Sequence, residues 1–255
     1  MQAVPAGAHA LQVEISKSPE RPPDSSRIEG DVAEIVLVDG GCLRMRCGDR
    51  RACFSFPEPP PDLDLLHPYL APAAALAQLW SGREALHAGA LVAPAGAVLL
   101  LAGKEGGKST TLAWLANELG VPILADDLVV VAQGAALAGP RCLDLRPQAL
   151  TARRMAPSEL VRAATRRRVA LGLAPLAAPI AGSVVLGWGP ELELSALSAS
   201  QRLRELVAAR MYGARIPGDP AALLNLAALP MLHLRRPRGE RGLEAAATTL
   251  LTRFA

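Results

Sequence analysis

The feature that most constrains this chain is the run Ala97-Val98-Leu99-Leu100-Leu101-Ala102, which contains no polar side chain. A strand of that kind has to be covered on both faces, as in a sheet with helices packed on either side. It runs directly into Gly103-Lys104-Glu105-Gly106-Gly107-Lys108-Ser109-Thr110. In Ser109–Leu119, Leu112, Leu115, Ala116 and Leu119 recur at helical spacing, and Gly120 supplies a C-terminal cap. Two further apolar segments follow, Val121–Ala125 and Leu128–Ala132. Strand, loop, helix and strand in that order make a βαβ unit, which predicts an α/β fold with parallel neighbours.

The rest of the chain divides in two around this unit. Short alternating or apolar runs at Leu11–Ile15, Val32–Val38, Cys42–Arg46 and Arg51–Phe56, with the hairpin signal Asp39-Gly40, predict a small β-rich region over residues 1–60. Pro57 to Pro61 punctuates the chain, and residues 61–255 form the second, larger domain. Within it the pattern predicts a helix over residues 68–82 and a strand at Ala85–Val92. Strands are expected at Cys142–Leu145, Val184–Leu186 and Met231–Leu234, and helices at Ser198–Met211 and Gly239–Arg253.

The glycine-rich loop has the composition of a phosphate cradle. Gly103, Gly106 and Gly107 let successive backbone N–H groups turn toward one anion, at the positive end of the following helix. Lys104 and Lys108 supply cations, and Lys108 reaches the β- and γ-phosphates of a nucleotide. Ser109 offers a hydroxyl to Mg2+, with Thr110 beside it. Its spacing departs from the usual four residues between the first glycine and the Gly-Lys pair. Either Ala102 occupies the first-glycine position, or the loop is one residue shorter. Of the 27 basic residues only Lys17, Lys104 and Lys108 are lysines. Where this sequence needs only positive charge it uses arginine, so Lys108 reads as chosen for a compact ammonium.

Asp126-Asp127 follows a buried strand at its carboxyl end, the edge where open α/β sheets bind ligands. Two carboxylates there can divide the work, one toward a metal and the other accepting a proton from an incoming hydroxyl. His87 enters beside the loop; it reads equally as a partner of an aspartate or as a core histidine. His9, His67 and His233 have no such neighbours.

Leu86-His87-Ala88, the apolar strand, the Gly-Lys-Ser-Thr loop, the helix ending at Gly120 and Ala125-Asp126-Asp127 together resemble the catalytic core of the HPr kinase/phosphorylase family. The likeness is close over residues 80–135. It implies a P-loop kinase core of the HPr kinase and phosphoenolpyruvate carboxykinase type, using ATP and Mg2+ to phosphorylate a serine. By resemblance Asp126 is the base, Asp127 the metal-side carboxylate and His87 their partner; the loop chemistry adds Lys108 as a catalytic residue and Ser109 as a metal ligand. The family's Glu-x-Arg-Gly-like signature and its arginine-rich loop are missing. The chain is therefore closer to stand-alone relatives that tailor ribosomal peptides, lasso-peptide precursors among them. The expected partner is a peptide or small protein, and a homo-oligomer is left open. Two other readings stand beside this one: a nucleotide-binding scaffold without transfer chemistry, or a kinase for an HPr-type phosphocarrier. A motor-like NTPase would need a water-positioning residue and a partner arginine, and the sequence displays neither.

Charge and composition exclude several classes. A net charge of +3 gives no electrostatic case for nucleic acid. The cluster Arg162, Arg166, Arg167 and Arg168 reads as a solvated helix end; with Arg153 and Arg154, part of it is also a candidate for neutralising phosphate. Cys42, Cys47, Cys53 and Cys142 match neither zinc ligation nor a secreted disulfide framework, which favours a reducing cytoplasm. Val169–Pro190 carries no charge and is long enough to span a bilayer, but its prolines and glycines break it up. A loop leading into a strand near Ser183–Trp188 is expected there, and no membrane association.

Overall fold

In the computed structural model, residues 10–18, 22–37, 40–61, 65–146, 167–213 and 215–255 are described. Two compact units emerge, Met1–Ser81 with Ala214–Pro217, and Gly82–Gly213 with Gly218–Ala255. The prolines at 57–61 thus lie inside the first unit, which also takes in the helix that follows them.

Period-two alternation builds the first unit. Its strands are β1 (Gln12–Lys17), β2 (Arg27–Glu29), β3 (Val32–Val36), β4 (Cys42–Arg46) and β5 (Arg51–Phe56), in the order β1-β5-β4-β3-β2. Ala33 and Ile35, Leu43 and Met45, and Ala52, Phe54 and Phe56 point to one buried face. Tyr69 stands edge-on to Phe56, with ring centroids 5.1 Å apart, and α1 (Ala71–Trp80) follows. The hairpin expected at Asp39-Gly40 joins β3 to β4, which pair antiparallel; Asp39 itself lies outside the described residues.

In the second unit, β6 (Glu84–Leu86), β7 (Gly89–Ala93) and β8 (Gly96–Leu101) lead into α2 (Lys108–Leu119). Next come β9 (Ile123–Ala125), β10 (Val129–Ala132), β11 (Ala135–Leu137), β12 (Cys142–Leu145), β13 (Arg167–Ala170), β14 (Ala177–Trp188) and β15 (Glu193–Ala196). The chain ends with α3 (Ala199–Ala209), α4 (Pro220–Ala228), β16 (Met231–Arg236) and α5 (Glu240–Arg253). The large sheet has the order β6-β10-β11-β14-β8-β7-β9, with β16 beside β14. The apolar run at 97–102 is explained by its position in it. Val98 and Leu100 pack with Leu112 and Leu115 of α2 and Leu250 of α5, while Leu99 and Leu101 pack with Leu206 of α3 and Leu226 of α4. Both faces are covered, so neither can be polar.

The structure corrects three expectations. The βαβ unit does not have adjacent parallel strands: β7 stands between β8 and β9, antiparallel to both. A tight turn at Pro94-Ala95 closes β7 onto β8, with Ala93 opposite Gly96, and so occupies the position beside β8. The single strand expected at Ala85–Val92 is two strands, because Val129–Val131 takes Glu84–Leu86 as partner while Gly89–Ala93 joins β8. Arg167 and Arg168 do not end a solvated helix. They lie in a strand, and Arg168 is buried in a paired contact with Asp144, Nε to Oδ1 at 3.0 Å and Nη2 to Oδ2 at 2.9 Å. Arg153, Arg154, Arg162 and Arg166 lie outside the described residues. The uncharged segment at 169–190 contributes the long strand β14, and among the described residues no helix is long and apolar enough to cross a membrane.

Candidate active site

Four parallel strands deliver their carboxyl ends to one edge of the second unit. β14 runs parallel to both β8 and β16, and β9 shares their direction because β7 opposes both it and β8. The glycine-rich loop leaves β8, Asp126 and Asp127 leave β9, and Trp188 and Arg236 end β14 and β16. His87 sits just before the start of antiparallel β7, which puts it at the same edge. Ligands of open α/β sheets gather there.

The loop resolves the spacing question left by its sequence. Gly103 is outside the left-handed region, and a Cβ built on it would meet nothing within 4 Å. A Cβ on Gly106 would stand 2.5 Å from the Ala102 methyl. Ala102 therefore takes the first-glycine position, and Gly106 leaves room for its side chain. Gly107, at φ 88°, is the N-cap of α2, a backbone conformation that favours glycine. Lys104 is exposed, and Thr110 is half-buried in the first turn of α2. Glu105 holds φ 64°, and its carboxylate accepts from Arg146 Nη1 at 2.6 Å, which keeps its pKa below the ordinary range. Its carbonyl accepts the Trp188 indole N–H at 3.3 Å.

Lys108 is only 7 % exposed. Its ammonium donates to the Ala102 carbonyl at 2.9 Å and lies 3.1 Å from His87 Nε2. Burial pulls its pKa down, while the charges of Asp127 and Asp126 work against that shift. A lysine ammonium only donates, so His87 Nε2 is the acceptor and its Nδ1–H donates to the Asp127 carbonyl, at 3.1 Å. The His87 side chain is exposed between fully buried Leu86 and Ala88, which removes the core-histidine reading. Its bonds join the glycine-rich loop to the acid pair.

Asp126 carries a carboxyl whose pKa is pushed up to about 7. Burial is the largest cause and the Asp127 charge the second, opposed by hydrogen bonds from the Ser109 hydroxyl and the Asp127 backbone. Its Oδ1 is enclosed with no hydrogen-bond partner. Asp127 holds φ 62° in a three-residue turn closed by Leu128 N–H to the Asp126 carbonyl at 2.7 Å. Such backbone is uncommon for residues other than glycine, and aspartate is among those that tolerate it best.

Arg146, Trp188, Arg236 and Arg238 also reach this edge, although the motif reading passes over them. The signal lay in Arg235-Arg236-Pro237-Arg238, which interrupts an apolar run at the expected end of a strand. Among the described residues no three His, Cys, Asp or Glu side chains are grouped to hold a metal. Two carboxylates and a hydroxyl are nevertheless the hard oxygen donors that suit a magnesium ion arriving with phosphate.

No protein-family model matches this chain, and no curated protein matches it either. Among solved structures it is similar to the HPr(Ser) kinase/phosphatase from Coxiella burnetii, at 13% identity over 67% of this chain and 88% of that one, with a TM-score of 0.33. A likeness that slight carries no argument, and the functional reading rests on the geometry of the edge itself.

Proposed function

We propose that this protein is a kinase that transfers the γ-phosphoryl group of ATP to a serine hydroxyl of a peptide or small protein, in the cytoplasm. The observation that carries the reading is the Ser109–Asp126 hydrogen bond, which joins the phosphate loop to a carboxyl held near neutrality. A group that titrates close to the working pH can accept the proton of an incoming hydroxyl. A ribosomal peptide precursor of lasso type is the acceptor favoured by the resemblance in the residues from Leu86 to Asp127.

The chain's residues suggest the following division of labour. Backbone N–H groups of residues 103–110 and the Lys108 ammonium hold the phosphates. Ser109 and Asp127 would hold Mg2+, which supplies charge neutralisation between the phosphates. The acceptor oxygen attacks the γ-phosphorus, its proton passes to Asp126, and the bond from the γ-phosphorus to the bridging oxygen breaks, leaving ADP. His87 positions Lys108 and the turn at Asp127. Enclosing Asp126 raises its affinity for a proton above that of an ordinary aspartate, which suits a group that has to accept one from a hydroxyl.

The test incubates the full chain with labelled ATP, Mg2+ and serine-containing precursor peptides. Transfer to serine that disappears in Asp126→Asn, while ATP binding persists, supports the reading. ATP binding with no transfer to any hydroxyl would leave a nucleotide-binding scaffold in its place.

A further inference from the structure

Trp188 and Arg236 are register partners at the ends of β14 and β16. Arg236 is 3 % exposed, and its guanidinium carbon lies 4.4 Å from the centroid of the Trp188 ring. That of Arg238 lies 4.5 Å from the same ring. Arg236 Nη2 comes within 3.0 Å of the position a Cβ on Gly107 would take, so it presses against the N-cap of α2. The one hydrogen bond of its guanidinium among the described residues runs from Nη1 to the Pro237 carbonyl, at 3.3 Å. No described carboxylate pairs with it. Burial first, then the neighbouring Arg238 charge, pull its pKa down to about 10.

This arrangement is costly in the absence of a ligand. A buried guanidinium without a counter-charge is destabilising, as a buried ion pair is when it loses one partner. Here it is also placed against the positive end of a helix and beside a second arginine, Arg238, whose charge has the same sign. Stacking on Trp188 fixes the guanidinium plane and recovers part of that cost. The buried pair Arg168–Asp144 and the pair Arg210–Glu84 show the contrast: there this chain gives its buried arginines a carboxylate. Arg236 has no such carboxylate among the described residues, and the helix N-cap it touches belongs to a glycine-rich loop whose composition suits an anion.

We propose that Arg236 is a phosphate-binding residue of this loop, held on Trp188 so that its guanidinium takes phosphoryl oxygens of a nucleoside polyphosphate, with Arg238 adding a second charge from the solvent side. The inference rests on the phosphate-loop reading above and deepens it. The polyphosphate would be gripped from two sides, by Lys108 together with a metal that Ser109 and Asp127 would hold, and by Arg236 at the end of β16. The guanidinium offers a planar fork for two oxygens, which an ammonium does not.

The test is calorimetric titration of the full chain with ATP, ADP and pyrophosphate in Mg2+ buffer. Arg236→Gln, Arg236→Lys, Lys108→Ala and the exposed helix control Arg204→Gln are compared with the parent protein. Arg236→Gln weakens all three ligands by about 10–100-fold, the range for a charged hydrogen bond, and Arg236→Lys falls between it and the parent. Arg204→Gln changes nothing. The ligand-induced rise in Tm shrinks in parallel, and the ligand-free Tm of Arg236→Gln shows that the variant is folded. Unchanged affinities in a folded Arg236→Gln, with Lys108→Ala impaired, overturn the role of Arg236 and leave the loop reading standing. No binding by the parent protein overturns both.

Discussion

Lys108 Nζ lies 3.1 Å from His87 Nε2, an ion-to-imidazole contact spanning 21 residues of sequence. The same ring bonds the Asp127 carbonyl from its other nitrogen. His87 therefore holds the lysine of the glycine-rich loop and the acid-pair turn in one register. His87→Ala should lower kcat by about 10–100-fold, the usual effect of removing a residue that orients a reacting group. Nucleotide Kd should change little, because the loop backbone and Lys108 remain. Separate measurement of Kd by titration and of kcat under saturating ATP checks this. Affinity falling as far as kcat would place His87 in binding instead.

Asp126→Asn should reduce transfer by about 10²–10⁴-fold while ATP still binds. The same variant carries a stability signature with a definite sign. The folded protein holds the Asp126 proton up to about pH 7, whereas the unfolded chain releases it near the ordinary value of 3.8. Between those limits the folded state binds more protons, so stability falls as pH rises from about 4 to about 7. The penalty is then fully present at alkaline pH. Asparagine abolishes it, so the Tm gain of Asp126→Asn over the parent should be larger at pH 8 than at pH 5. Thermal melts across that range, without ligand, decide the matter; a gain independent of pH would show that Asp126 is not the titrating group.

The order of chemistry along the chain was legible because it is local. An uncharged strand, a glycine-rich turn and an amphipathic helix each follow from neighbouring residues, and so did the arrival of Asp126 at a strand's carboxyl end. Which strands become neighbours was not legible. Insertion of β7 between β8 and β9 depends on a two-residue turn at Pro94-Ala95 competing with a helical crossover, and periodicity carries no information about that contest. The break at His87 was hidden for a similar reason, since Glu84–Leu86 and Gly89–Ala93 are both apolar enough to read as one strand. Arg168 and Arg236 mark the limit most plainly. Both belong to arginine-rich stretches that look solvated, yet one is buried against Asp144 and the other against Trp188. By contrast, α4 had a readable start, Asp219 accepting from the Ala221 N–H with Pro220 in the first turn, and could have been found from capping chemistry alone.

Gly106 owes its identity to Ala102. A Cβ at residue 106 would come 2.5 Å from the Ala102 methyl and 3.1 Å from the Gly103 carbonyl. Gly106→Ala should therefore distort the loop and weaken ATP binding by about 5- to 150-fold, as overpacking of about 1–3 kcal/mol implies. Adding Ala102→Gly removes the shorter of the two contacts, so the double variant should bind more tightly than Gly106→Ala alone. A double-mutant cycle on ATP affinity measures that coupling. Additive losses would mean that the two residues do not share the space.

The scarcity of lysine makes one last contrast testable within a single loop. Lys104 is exposed and Lys108 nearly buried, its ammonium bonded to the Ala102 carbonyl and His87. Lys104→Arg keeps the charge in open solvent and should leave ATP affinity and Tm unchanged. Lys108→Arg also keeps the charge, but a broader guanidinium has to fit where a compact ammonium reaches the carbonyl. It should cost about 1–3 kcal/mol of stability through overpacking and weaken ATP binding about as severely as Lys108→Ala. Titration and melting of the three variants distinguish a requirement for shape from one for charge. If Lys108→Arg binds ATP like the parent, positive charge alone suffices, and the preference for lysine at 108 has another origin.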